Sequence, residues 1–223
     1  MTTLGHYYAL ASGPVPTAGL ETRRPDGRAV AYAFNTPGRL VVLGGHKAPN
    51  LFVFKAEQPD YDRSDIPSQR RFLEAHFDGV GWRVAQMLEA CREDPDFYLD
   101  ELARTRMTSF TRGRVALLGD AGYANTLGGF GTGLALIGAY VLAGELVAAR
   151  GEHAAALASY NERMRKPTKI ARSGNAGPFL APPTHRRIKL RDWAFAHRLV
   201  ARTMIRAADA FATEASIPTY SMR

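Results

Sequence analysis

Residues 113–146 read "GRVALLGDAGYANTLGGFGTGLALIGAYVLAGEL", which sets an apolar run, an acid, four glycines within 128–133 and a long apolar helix pattern directly after one another. Few backbones satisfy that order. The run at 115–118 has the composition of a buried strand aimed at Gly119-Asp120, and from Gly131 onward the spacing is helical. A strand, a glycine-rich turn and a helix N-terminus together present unpaired backbone N–H groups and the positive end of a helix dipole, so an anionic or electron-rich ligand suits the place. Two phosphate-cradling versions of the motif do not fit. The dinucleotide fingerprint requires Gly-x-Gly-x-x-Gly, but Gly129-x-Gly131 is followed three on by Leu134 and Gly131-x-Gly133 by Leu136. A Walker loop requires Lys and Ser or Thr after its last glycine, where this chain has Leu134-Ala135. On residues alone, a ligand cradle and a tightly packed turn stay equally open, because glycine also serves close backbone approach.

The chain has 223 residues, 46% of them apolar, which suits a globular fold with a real core in one large or two small domains. Cys91 is the only cysteine, which excludes an internal disulfide and a cysteine-based metal cluster. The first ten residues lack a basic stretch followed by an apolar run, so no secretory signal is expected and a cytoplasmic address is. The longest apolar stretch, 134–149, is interrupted by Glu145 and falls short of the roughly 20 residues of a bilayer span. It is read as a buried helix, and no membrane partner is expected. The net charge of +8 is concentrated: 163–206 holds twelve Lys or Arg and one acid, Asp192. Such a run reads first as a solvated helix face and second as an anion-binding surface, with nucleic acid not expected as a specific partner.

Short β-branched or aromatic runs at 6–11, 29–34, 40–43 and 51–54, separated by "RPDGR", "NTPGR" and "KAPN", predict an antiparallel meander. Ser64 is placed to cap a helix that stops at Gly79, and Trp82, Ala85, Met87, Leu88 and Cys91 give a second helix an apolar stripe of core positions. Extended character resumes over 97–107. Helices are predicted over about 131–149, 152–171 and 184–213, with a Gly/Pro-rich link at 174–183. Strands, two helices, one strand and then helices make an α+β fold, not a complete doubly wound sheet. The predicted division is a sheet and its helices over 1–107, the strand–glycine loop–helix motif over 108–174, and a basic helical segment over 175–223.

Other constellations carry less. The six histidines never fall three to five apart, so no helical metal pair is expected, and no Gly-x-Ser-x-Gly elbow occurs. Asp60, Asp62 and Asp65 read as turn and cap residues before a cation site. Tyr32, Phe34, Phe52 and Phe54 could stack an aromatic ligand but read first as core, and His46 and Lys47 are weak candidates for polar contacts. Trp193, Phe195, Leu199 and Ile205 are expected to pack against the body.

The segments "GRVALLGDAG", "GFGTGLAL" and "GAYVLAGEL" resemble the second flavin-binding motif of the FAD-dependent aromatic hydroxylases of the para-hydroxybenzoate hydroxylase type, especially the branch acting on polyketides and tetracycline-like molecules. The resemblance is specific over 113–146, and weaker over the rest, where it is one of strand order and length. It implies an FAD-dependent, NADH- or NADPH-using monooxygenase acting on a small aromatic or polyketide-like substrate. It also implies that Asp120 hydrogen-bonds the ribityl chain and that Gly128, Gly129, Gly131, Thr132, Gly133 and Leu134 face the flavin ring, while the sheet shapes the substrate pocket. The family's fold begins with a βαβ unit carrying Gly-x-Gly-x-x-Gly, which this sequence does not show, so the chain matches a C-terminal half. A separate chain supplying the dinucleotide half is then the implied partner. The alternative is a catalytically silent remnant that binds protein or nucleic acid through its basic C-terminal helices.

Overall fold

The computed structural model describes residues 1–21, 23–44, 48–57, 61–127, 131–171, 174–203, 206 and 218–220. The chain divides into two compact units. The sheet unit takes Gly5–Leu102 with Gly177–Asp192, and the helical unit takes Met1–Leu4, Ala103–Ala176 and Trp193–Arg223. The C-terminal basic segment is therefore shared between the two units and does not stand alone.

The sheet is antiparallel where its register is defined. β1 (Thr2–Ala11), β2 (Tyr32–Thr36), β3 (Arg39–Leu43), β4 (Asn50–Lys55) and β5 (Tyr98–Arg104) lie in the order β2-β3-β4-β1-β5. β2, β3 and β4 form the expected meander, but β1 sits on the far side of β4, with Tyr8 opposite Val53. Pro37-Gly38 makes the β2–β3 turn, where Gly38 takes a positive φ of 72° that a side chain would strain.

Period-2 alternation gives the sheet two different faces. Tyr7, Ala9, Ala11, Phe52 and Phe54 point to one face and pack with Phe72, Leu73 and Phe77 of α1 (Ile66–Phe77) and with Val84, Met87 and Cys91 of α2 (Val84–Arg92). Phe52 and Phe54 are wholly buried there, so they are core residues and cannot stack a ligand. Phe34 stacks on Trp82 at 5.6 Å, and the Tyr32 hydroxyl donates to the Glu21 carbonyl. The cap of α1 is Asp65, whose carboxylate accepts from the Ser68 N–H; Ser64 instead bonds Asp62 one step earlier in the turn. Trp82 is not in the α2 stripe: it precedes the helix at φ 57° and is 40% exposed. His46, Lys47 and Asp60 lie outside the described residues.

In the helical unit, β6 (Thr111–Arg112) and β7 (Val115–Ala116) form a two-stranded ribbon, followed by α3 (Asp120–Tyr123), α4 (Gly131–Ala148) and α5 (His153–Ala171). Its core joins Phe110, Tyr123, Leu134, Val141, Tyr160 and Met164. Behind α4, the buried Glu145 carboxylate meets Arg163 Nε at 2.5 Å and accepts from the Tyr220 hydroxyl at 2.6 Å, which compensates an otherwise costly buried charge. The link at 174–183 contains a short helix, α6 (Gly177–Leu180), and α7 (His185–Ala196) follows it. Trp193 and Leu199 do not pack as the sequence suggests, being 53% and 80% exposed, and Phe195 is also exposed. Ile205 lies outside the described residues.

Two outcomes check this core. Phe54→Ala is expected to cost about 3–5 kcal/mol in urea unfolding, the range for an aromatic truncated in a closed core. Burial, with the Asp94 charge beside it, pushes the Cys91 thiol up to about 12. The folded thiol therefore keeps its proton while the unfolded one loses it, so stability falls as pH rises from about 9 toward 12. Thiol-reagent labelling at pH 8 is expected to run at the unfolding rate, and Cys91→Ala to flatten the alkaline limb of the stability curve.

Candidate functional site

The turn that carries the acid is built from backbone constraints. Gly113, at φ 58°, closes the β6–β7 ribbon, and Leu117 N–H donates to the Phe110 carbonyl at 2.7 Å. The ribbon ends sooner than the sequence suggests, because β7 covers only Val115 and Ala116 and is not buried: Val115 is 63% exposed. Gly119 then takes φ 63° and ψ −136°, a region essentially reserved for glycine, and a Cβ there would sit 3.4 Å from Ala135 on α4. This sharp bend puts Asp120 at the start of α3, with its carbonyl accepting from the Thr105 hydroxyl at 3.3 Å. Residues 124–126 run beside 103–105, tied by Thr105 N–H to Ala124, Thr126 N–H to Ala103 and the Thr126 hydroxyl to Ala103.

The glycines of this region separate into two kinds. A Cβ on Gly122 would lie 3.3 Å from Leu117 and Phe110, and one at Gly138 would overlap the Tyr123 hydroxyl, which itself donates to the Leu134 carbonyl. Gly144 likewise faces the Tyr220 ring. Those are packing glycines. Gly133 is exposed, and among the described residues a Cβ there would meet nothing within 4 Å, while one on Gly131 would meet only Asp120 Oδ1 at 3.8 Å. No described element requires either glycine, although glycine in a first helical turn costs up to about 1 kcal/mol against alanine. Asp120 and Thr132 are exposed beside them, and Leu134 is buried in the core beneath. Gly128 and Gly129 lie outside the described residues. Asp120, Gly131, Thr132 and Gly133 thus come together at the N-terminus of α4, where the first-turn N–H groups have no intrahelical partners.

In the sheet unit, the face away from α1 and α2 carries Tyr8, Leu40, Val42, Leu51 and Val53, with Leu180 and Ala181 of the α6 segment over part of it. The rings of Tyr8 and Tyr98 lie 5.7 Å apart, and the Tyr98 hydroxyl donates to Asp100 Oδ2 at 3.0 Å. Desolvation, followed by hydrogen bonds to Tyr8 and Asp100, holds the Tyr98 phenol above its usual range. Elsewhere in this unit a cavity of about 350 Å³ opens at the ends of β1 and β3, lined among others by Ser12, Val15, Leu43 and Asn50. Ser12 N–H there donates to Asp94 at 2.5 Å.

No family profile matches the chain. A flavin-dependent monooxygenase of an unknown prokaryotic organism is 45% identical over 116 residues, which are 51% of this chain and 30% of that protein. FAD-dependent monooxygenase asL4 of Sarocladium schorii is 36% identical over 136 residues, 55% of this chain and 30% of that one. The crystal structure of tetracycline destructase Tet(51) superposes with a TM-score of 0.76 at 29% identity, covering 99% of this chain and 56% of that one. Over the part that matches, the chain is similar to FAD-dependent monooxygenases. The match reaches about a third of each of these curated relatives and a little over half of the solved structure. Over almost its whole length the chain shares the fold of the matched part of that structure.

The sequence singled out Asp120 and the glycines as candidates but not the residues that support the turn. Tyr123, Thr105 and Thr126 hold the turn, and only the Tyr123–Gly138 pair leaves a trace in the sequence, as a large residue set against a small one. Tyr8 and Tyr98 were not singled out either, since their exposure depends on which sheet face the helices cover.

The two kinds of glycine are expected to respond differently to one methyl group. Gly138→Ala is expected to destabilise by about 1–3 kcal/mol through overpacking against Tyr123, whereas Gly133→Ala is expected to be neutral or stabilising by up to about 1 kcal/mol. Urea melts of the two variants decide; equal losses would mean that Gly133 is also held by packing.

Proposed function

We propose that this chain supplies the flavin-ring and substrate portions of an FAD-dependent monooxygenase that hydroxylates an aromatic or polyketide-like small molecule, with NADH or NADPH as reductant, in the cytoplasm. The observation that carries the reading is the pairing of an exposed carboxylate, Asp120, with a helix N-terminus kept clear by Gly131 and Gly133. An ionised acceptor suits a polyol, and first-turn N–H donors suit the carbonyl and nitrogen edge of an isoalloxazine, so the described residues fit the group. When bound, the flavin supplies the redox and oxygen chemistry.

The roles of the chain's own residues follow from position. Asp120 anchors the ribityl hydroxyls. The α4 N-terminus, with Gly131, Thr132, Gly133 and Leu134, places partial positive charge where the reduced ring carries negative charge, a stabilisation of about 0.3–1 kcal/mol at an exposed helix end. Gly128 and Gly129 belong to the same loop in this proposal. On the sheet, the half-open Tyr8–Tyr98 pair offers an aromatic surface for a planar substrate, which suits a tetracycline-like or other aromatic ring system. That tetracycline destructase Tet(51) and FAD-dependent monooxygenase asL4 are similar to this chain supports the choice of cofactor and substrate class. Nothing in these comparisons favours a silent interaction module.

The test compares affinity with reactivity in a reconstituted protein that also contains a dinucleotide-binding half. Asp120→Ala is expected to weaken FAD binding about tenfold or more, by loss of a charge-assisted hydrogen bond of about 1.5–3 kcal/mol. Gly133→Val meets nothing within 4 Å among the described residues, so it is expected to leave the fold intact while slowing flavin reduction at saturating FAD. If fluorescence titration and stopped-flow reduction show both variants unchanged, Asp120 and the α4 N-terminus do not hold the flavin and the proposal fails.

A further inference from the structure

Arg191 lies in the basic run that the sequence reads as a solvated helix face, yet its side chain is only 19% exposed. Five hydrogen bonds engage its guanidinium. Nη1 donates to the Phe179 carbonyl at 3.0 Å and the Leu180 carbonyl at 3.2 Å, and Nη2 donates to Asn35 Oδ1 at 2.8 Å. The remaining two go to Asp192, its exposed sequence neighbour, and contribute little. Asn35 completes the node, its Nδ2 donating to the same Leu180 carbonyl at 2.9 Å and to the Arg39 carbonyl at 2.8 Å. A planar fork can serve acceptors spread over α6 and β2 in this way, whereas a lysine ammonium is a point charge with three donors.

What the node holds is a strap, 177–182, laid across the open face of the sheet. At its start a Cβ on Gly177 would overlap the His6 ring of β1. Ala181 is buried with Leu40 of β3 and Val53 of β4. The Gly38 N–H at the β2–β3 turn donates to the Pro182 carbonyl at 2.8 Å. The strap therefore crosses β1, β4 and β3 and ends at the turn. Alternation puts His6 and Tyr8 on one face of β1, and Tyr8 and Leu180 both pack against the Leu40–Val53–Ala181 cluster, so the strap borders the Tyr8–Tyr98 pair. Its own apolar burial is small: Leu180 and Ala181 join the cluster, while Phe179 is exposed. A guanidinium and a carboxamide committed to so small a contact fix a position more than they add stability, because desolvating a cation offsets much of what its bonds return.

Resting on the ligand face proposed above, we infer that the 177–182 strap is a fixed side wall of that face, with Arg191 and Asn35 as its positioning residues. By holding Leu180 and Ala181 beside Tyr8, they give a planar ligand broad enough to extend past the Tyr8–Tyr98 pair a preformed edge to lie against. A single-ring ligand stays on the pair and does not reach the strap. The node thus sets ligand breadth, favouring fused rings over single ones, because a wall already ordered carries no ordering cost on binding.

The experiment titrates the chain with two probes, tetracycline and phenol, by ligand-observed NMR, and follows the strap by hydrogen exchange. In Arg191→Ala, exchange over 177–182 and Gly38 is expected to quicken about tenfold or more. Tetracycline affinity is expected to fall about tenfold, and phenol affinity to change less than about twofold. Arg191→Lys, which keeps the charge without the fork, is expected to behave like Arg191→Ala, and the exposed Arg187→Ala like the parent. If Arg191→Ala does not fold, Asn35→Asp takes its place, since it keeps the acceptor for Arg191 and loses the donor to Leu180 and Arg39. Equal losses for the two probes, full rescue by lysine, or tighter tetracycline binding in Arg191→Ala overturns the wall. Tetracycline binding that Tyr98→Ala abolishes and Arg191→Ala leaves unchanged overturns the wall alone. Binding of neither probe, or binding indifferent to Tyr98→Ala, overturns the ligand face and the wall together.

Discussion

The close approach of α4 to the turn after β7 is the constraint on which the helical unit depends. It needs a glycine at 119, where the backbone adopts a conformation closed to side chains, and a glycine at 138, where the Tyr123 hydroxyl occupies the space of a Cβ. Tyr123 is the fulcrum: buried, set edge-on to Phe110 and bonded to the Leu134 carbonyl, it fixes how far α4 stands from α3. The position of Asp120 relative to the α4 N-terminus follows from this packing and not from any direct bond between them.

That division of labour explains why glycine is so abundant in one short stretch. Some of these residues let elements meet, and others meet no described neighbour at the first turn of α4. That turn, beside the Asp120 carboxylate, brings donors and an acceptor into one small area. In the sheet unit, the core and the candidate ligand surface are likewise separated by alternation: Phe52 and Phe54 are spent on α1, and the Tyr8–Tyr98 pair is left on the opposite face.

The buried Glu145 shows how α4 tolerates an acid within an apolar run. Arg163 and Tyr220 reach it from two other segments, so its charge is met by a cation and a hydroxyl, and the helix is pinned on that side. On another side of α4 Tyr140 packs against the Tyr220 ring, while Leu136, Leu146 and Val147 are exposed.

Much of this was determined by the sequence. Hydrophobic period and turn chemistry located the strands and most of the helices, because a strand such as β4 must alternate and a helix such as α1 must cap itself, and both are local requirements. The motif at 113–146 brought Asp120, Gly131, Thr132 and Gly133 to one place, because a strand–turn–helix connection of that length leaves few alternatives. Tertiary structure decided the rest. It placed β1 beyond β4, gave Phe52 and Phe54 to the core and Tyr8 and Tyr98 to the open face, moved the α1 cap from Ser64 to Asp65, shortened the strand at 115–118 and left Trp193 and Leu199 exposed. Each of these depends on which distant element arrives to cover a residue. An apolar side chain reads the same wherever it points, which is why the 134–149 run looked buried in the sequence although Leu136, Leu146 and Val147 of α4 are exposed.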